Sequence, residues 1–233
     1  MSNLSYMQKA SDRGQLQIHV TTERGFFPIK DASIRLSYTG NPTEIIEELS
    51  TDISGQTAAV ELPAPPLEYS MEPSEFQPYS EYTIQVNASG YRPINISGIS
   101  VLPDKTSIQN VRMETATVEN PLERNIVITA NTLYGNFPPK IPEDEIKPMT
   151  ESGEIVLSRV VIPEYVIVHD GPPSDSSAND YYVRYRDYIK NVASSEIYAT
   201  WPDAALRANI LAIMSFTCLL YTSPSPRDVE ESR

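Results

Sequence analysis

The chain has 233 residues, 40% of them hydrophobic, which is enough for two small domains with separate cores, the expected organisation. A formal net charge of −13 would repel nucleic acid and anionic membrane surfaces, so no nucleic acid is expected among its partners and neutral or cationic ligands remain. Its 20 prolines against 9 glycines point to stiff connections between extended segments.

Residues 1–13 are expected to be disordered. The opening "MSNLSYMQKASDRGQLQ" contains no apolar run of secretory-signal length, so no route of export is legible there. From 14 to 113 apolar and polar residues alternate. "GQLQIHVTT" places Leu16, Ile18 and Val20 on one strand face and His19 on the other, and "YTIQVNASGY" does the same with Tyr82, Ile84 and Val86. "KDASIRLSY", "GQTAAVELP", "NISGISVLP" and "TSIQNVRME" read as further short strands bounded by turn residues, which predicts an antiparallel all-β sandwich. With a Thr-Asp-x-x-Gly turn at Thr51, Asp52 and Gly55, and Gly90-Tyr91 after a strand, this region resembles the transthyretin-like or carboxypeptidase-regulatory-like sandwich. The resemblance implies a fold and no activity, because such modules serve as spacers, docking surfaces and folding aids.

Residues 114–153 include Pro138, Pro139, Pro142 and Pro148, which forbid a continuous helix or ladder and predict a linker or strap. Residues 154–217 are expected to begin an α+β domain. Two β-branched runs, Ile155–Ile162 and Tyr165–Val168, end in a turn at Asp170-Gly171-Pro172. Then "YYVRYRDYIKNVASSEI" and "DAALRANILAIMSF" predict a helix pair joined at Trp201-Pro202. The apolar stretch Ala204–Tyr221 carries Arg207 and Asn209 and is short for a span, so a core helix is expected and no membrane span. From Cys218 the text "CLLYTSPSPRDVEESR" completes no capping or packing pattern, and Cys218–Asp228 resembles translated sequencing-library adapter. Residues 218–233 are therefore expected to be foreign, with a natural chain continuing differently past Thr217. The lone cysteine goes with them, leaving no disulfide, thiol chemistry or cysteine metal site.

One residue stands out on the first helix. Ile189, Val192, Ala193, Glu196 and Ile197 recur at spacings of three and four, which puts Glu196 on the inward face. An apolar setting raises a glutamate's pKa and readies it as a general acid. The structural alternative is a carboxylate that caps the helix or pairs with Arg207. A second helix is expected from near Thr200, with Pro202 and Asp203 suited to its first turn.

The run "YIKNVASSEIYATWPDAALRANILAIMSFT" resembles the stage II sporulation protein D family, in which a Tyr-Leu-x-x-Val-x-x-x-Glu helix leads through Ser/Thr-Trp-Pro to Glu/Asp-Ala-Leu-Lys/Arg-Ala. With "VIVHDGPPSD" before it, the run is most similar to the clostridial spore cortex-lytic enzymes that contain this domain. The resemblance implies a peptidoglycan lytic transglycosylase with Glu196 as its catalytic residue and no cofactor. It also implies peptidoglycan glycan strands as substrate, the spore cortex or cell wall as location, and other spore or cell-wall proteins as possible partners. The metal-binding cysteines and histidine of some relatives have no counterpart, so no metal is expected. His19 should face outward and His169 should make a local hydrogen bond. Asp170, Asp187 and Asp203 read as turn, helix-surface and capping residues, so no second carboxylate is assigned, as a hydrolase would want. Tyr188, Tyr198 and Trp201 are weaker substrate-binding candidates. Tyr181, Tyr185 and Tyr188 share helical spacing, with core packing as their competing use. A helix pair with two strands cannot enclose a glycan, so the 233-residue chain itself is expected to be inactive. The rival function is a non-catalytic cell-wall or spore-coat scaffold with an amidase-enhancer-like module.

Overall fold

The computed structural model describes residues 12–24, 26–72, 76–117, 122–131, 162–171 and 175–222, with side chains described as far as Thr217. The fold is mixed, an all-β sandwich followed by an α+β unit with a helix pair. Two compact units divide the chain, Met1–Thr132 and Leu133–Arg233.

The first unit contains β1 (Asp12–Thr22), β2 (Ser33–Tyr38), β3 (Asn41–Ser50), β4 (Val60–Ala64), β5 (Ser80–Asn87), β6 (Ile94–Val101), β7 (Thr106–Met113) and β8 (Arg124–Val127). They form a three-stranded sheet, β4-β1-β7, and a five-stranded sheet, β3-β2-β5-β6-β8. The alternation read from the sequence is what closes the two sheets on each other. Leu16, Ile18 and Val20 from β1 share one core with Ile34 and Leu36, Leu62, Tyr82, Ile84 and Val86, and with the β6 and β7 residues Ile96, Val101, Val111 and Met113. Each such aliphatic side chain, fully withdrawn from water, contributes about 1.5–3 kcal/mol before the entropy of ordering it is subtracted.

The sandwich departs from the sequence reading in four places. It is not wholly antiparallel, since β1 runs parallel to β7 and β6 parallel to β8. β1 begins at Asp12, inside the stretch expected to be disordered, because Asp12 pairs with Ala64 and its Oδ2 accepts from the Leu67 amide at 2.7 Å. Residues 1–11 lie outside the described residues. β3, "NPTEIIEELS", carries no apolar alternation and is almost wholly exposed; antiparallel pairing with β2, with register shifts between Leu36 and Tyr38, makes it a strand. β8 falls in the stretch read as a linker and adds Arg124–Val127 to the edge of β6, so the first unit reaches beyond 113. The proline-rich remainder, 132–161, including most of the run Ile155–Ile162, lies outside the described residues.

The Thr-Asp-x-x-Gly turn is built as its residues suggest. Thr51 is buried; its hydroxyl donates to the Ile29 carbonyl at 2.7 Å and accepts from the Ala32 amide at 2.9 Å. Asp52 Oδ1 accepts from the Ser54 hydroxyl at 2.7 Å and from the Ser54 and Gln56 amides at 2.9 and 3.0 Å. Those bonds, the Ser54 hydroxyl first, hold the Asp52 carboxyl below the usual carboxylate range. Gly55 sits at φ +73°, and a Cβ there would meet the Val20 carbonyl oxygen at 2.5 Å.

The second unit contains β9 (Tyr165–His169), β10 (Asp180–Arg184), α1 (Tyr185–Glu196) and α2 (Asp203–Thr222). β9 and β10 are antiparallel, with Val166 opposite Val183 and Ile167 opposite Tyr182. Val166, Tyr185, Ile189 and Ile213 form the small core, with Val168, Val183, Tyr188, Val192, Ala193, Ile210 and Met214 packed against it. Here "YYVR" belongs to β10 rather than to the helix: Arg184 is still extended, and α1 starts at Tyr185. Tyr181 therefore does not share a helix face with Tyr185 and Tyr188. Among the described residues no helix is long and apolar enough to cross a membrane. The helical backbone of α2 continues through Thr222, five residues into the tail expected to be foreign, and the rest of that tail lies outside the described residues.

Candidate functional site

Glu196 is the last residue of α1, followed by an extended Ile197 whose amide still bonds back to the Ala193 carbonyl at 3.0 Å. Four residues of turn then reach Trp201, whose amide donates to the Tyr198 carbonyl at 3.1 Å. Pro202 precedes Asp203, and its carbonyl accepts from the Ala205 and Leu206 amides at 2.8 and 3.1 Å, which starts α2. The expected start near Thr200 is thus displaced to Asp203, because Thr200 and Trp201 are used in the turn. Pro202 lacks an amide donor, a defect that costs nothing at a helix start.

Glu196 is exposed. The apolar burial expected for it is absent, because the inward stripe of α1 is completed by Ile189, Val192 and Ala193 and then passes beyond the helix end to Tyr198, which is 5% exposed. With no further helical turn above it, the last side chain of the stripe reaches solvent. Its partner is not Arg207, which lies exposed, but Asn209, whose Nδ2 donates to Glu196 Oε2 at 2.6 Å. This bond ties the end of α1 to the second turn of α2. Two polar atoms of the same helix-turn-helix, Thr200 Oγ1 and Asn209 Oδ1, are buried without a hydrogen-bond partner among the described residues.

The sequence singled out Glu196 but not Asn209 as a site residue. The signal was present, an amide in the otherwise apolar "ANILAIMSF", but a polar residue on a core helix has many uses and only the fold puts it opposite the glutamate. The aromatic candidates divide. Tyr198 is buried, while Tyr188, which packs against the small core, and Trp201 are half-buried. Exposed rings of this unit include Tyr165 and Tyr182, on the outward face of β9 and β10 beside Ile167, as well as Tyr181 and Phe216.

At the end of that ribbon His169 lies opposite Asp180, Nδ1 to Oδ1 at 2.8 Å, the local hydrogen bond expected of it. Asp175 in the connecting loop accepts from the Ser177 hydroxyl at 2.6 Å and the Ser177 amide at 2.9 Å, bonds that hold its carboxyl below the usual range. His19 is half-buried rather than fully outward, on the face of β1 opposite the core. No cluster of three metal-ligating side chains occurs among the described residues. Asp187 and Asp203 lie exposed in the first turns of α1 and α2.

No family model and no curated protein matches the chain. Solved structures similar to it include the Bacillus anthracis TIE protein, at 17% identity over 45% of this chain and 17% of that one, with a TM-score of 0.31. The GBS52 minor pilin of Streptococcus agalactiae matches at 13% identity over 46% of each chain, TM-score 0.32. Klebsiella pneumoniae 5-hydroxyisourate hydrolase matches at 16% identity over 44% of this chain and 92% of that one, TM-score 0.27. The chain spans less than half the length of the first two. At these scores the likenesses carry no argument about activity.

Proposed function

We propose that the chain carries the acid–base glutamate of a peptidoglycan lytic transglycosylase, a reading that rests on the resemblance of residues 188–217 to the sporulation protein D family. The observation that best supports it is the setting of Glu196, an accessible carboxylate held by Asn209 across the Trp-Pro turn. In the reaction the protonated Glu196 gives its proton to the oxygen of a β-1,4 glycosidic bond as that bond breaks. The resulting carboxylate takes the proton of the same sugar's 6-hydroxyl, whose oxygen closes on the anomeric carbon as a 1,6-anhydro ring. One carboxyl thus serves as acid and then as base, and no water enters the product.

The exposure of Glu196 favours a second reading, a non-catalytic wall or coat scaffold in which the carboxylate only fastens two helices. The two separate on Glu196→Gln. In the transglycosylase, assayed on purified sacculi as the protein encoded at its source locus through whatever residues follow Thr217 there, chain cleavage should fall by ~10²–10⁴-fold while the fold survives. In the scaffold the wild type releases no muropeptide and the substitution changes nothing.

A further inference from the structure

The chain carries 31 acidic and 18 basic residues, and at one place that ratio inverts. A shallow cleft in the first unit is lined by Arg92, Ile94, Arg112, Met113, Glu114 and Arg124, three arginines and one glutamate. Glu114 follows β7 and is shared by two of them: Arg92 Nη1 donates to its Oε2 at 3.2 Å and Arg124 Nη1 to its Oε1 at 2.8 Å. Arg92 is fixed further, since its Nε donates to the Leu122 carbonyl and its amide to the Glu114 carbonyl at 2.8 Å, and its side chain is only 18% exposed. Arg112 projects from β7 with its Cζ 4.6 Å from the centroid of the Phe26 ring.

One carboxylate cannot neutralise three guanidinium groups, so the lining keeps an excess of two positive charges within a strongly acidic protein. Each guanidinium presents five N–H donors in a planar fork, and the bonds above occupy two of those on Arg92 and one on Arg124. On Arg92 and Arg124 the remaining donors belong to groups already held by Glu114, so an incoming acceptor need not order them. We infer that this cleft binds an oxyanion, the carboxylate or phosphate group of a larger ligand, through Arg92, Arg112 and Arg124. The cleft is a shallow surface depression, so a ligand's charged group would rest against the arginines and the body of the ligand would stay in solvent. Arginine suits this task better than lysine, because its fork matches both oxyanions with paired hydrogen bonds. The site lies wholly within the sandwich and does not depend on the glycan-cleavage reading.

The test follows the arginine Nε–H signals of the full chain by NMR while inorganic phosphate, or in a separate series sodium acetate, is added at an ionic strength held constant with sodium chloride. At least one of the two should shift Arg92, Arg112 and Arg124 saturably, and the series that does so identifies the group as phosphate or carboxylate. Arg124→Gln and Arg112→Gln should each weaken that binding at least about tenfold. Arg35→Gln, at an exposed pair with Glu48 on β2, should leave it unchanged. Arg112 is exposed and outside the core, so its substitution preserves the fold and decides the matter even where Arg124→Gln does not. No saturable shift with either anion, a shift spread equally over Arg35, or binding unaltered by Arg112→Gln would overturn the inference.

Discussion

Thr51, Asp52 and Gly55 fix the sandwich turn by three different means, and each makes a separate prediction. Thr51→Val keeps the shape but leaves the Ile29 carbonyl and Ala32 amide without their buried partner, which should lower stability to urea by about 1–3 kcal/mol. Gly55→Ala adds a methyl against the Val20 carbonyl at a positive φ, where strain alone costs about 1–3 kcal/mol, so its unfolding midpoint should drop further still. Asp52 acts through its charge. Its carboxyl is depressed in the folded state, so the turn gains stability above the ordinary aspartate range and loses it as pH falls through the depressed value. The amide signals of Ser54 and Gln56 should therefore titrate with a midpoint below the ~3.9 of an unperturbed aspartate, and a midpoint at or above it would contradict the hydrogen-bond account. This turn was legible because its residue types each have one local use. Glu196 was legible only as a position: helical spacing placed it on the inward stripe, but spacing does not report that the helix stops there and leaves the carboxylate in solvent. Asn209→Ala should free it, lowering the melting temperature slightly and, in an active enzyme, reducing kcat more than it raises KM.

Among the elements, the strands that carry alternating apolar residues were readable and those that do not were not. β1, β2 and β5 put apolar side chains into the core at every second position, and β6 does so on either side of a shift at Gly98; burial enforces that period. β3 and β8 lie at the two edges of the five-stranded sheet, where pairing with one neighbour defines a strand without demanding an apolar face. The same distinction separates β10 from α1. A tyrosine-rich stretch suits either state, and the pairing of Asp180–Arg184 with β9 decides it. Leu36→Ala, at a wholly buried position on β2, should cost about 2–5 kcal/mol. Removing β8 should matter too. A piece spanning 12–131 should unfold at higher urea than one spanning 14–113, which leaves the β6 edge unpaired and Ile94 and Ile96 less covered; equal midpoints would show β8 to be an ornament of the sheet rather than part of it.

For the whole molecule, two units with separate cores imply two units that can fold separately. The larger core predicts that the sandwich folds alone with a single cooperative transition and a β-type circular dichroism spectrum. The smaller core leaves Ile167, Tyr182, Leu211 and Phe216 more than half exposed, and a unit so sparsely covered should release no muropeptides from sacculi as the 233-residue chain. The account stands chiefly on Glu196, and the chemistry of the cut ends tests it most directly. Cortex digested by the protein encoded at the source locus is analysed by mass spectrometry beside a digest by its Glu196→Gln variant. A single glutamate acting as acid and then base predicts 1,6-anhydromuramic ends from the wild type and their near absence from the variant. Reducing ends from the wild type, or undiminished anhydro ends from the variant, would contradict it.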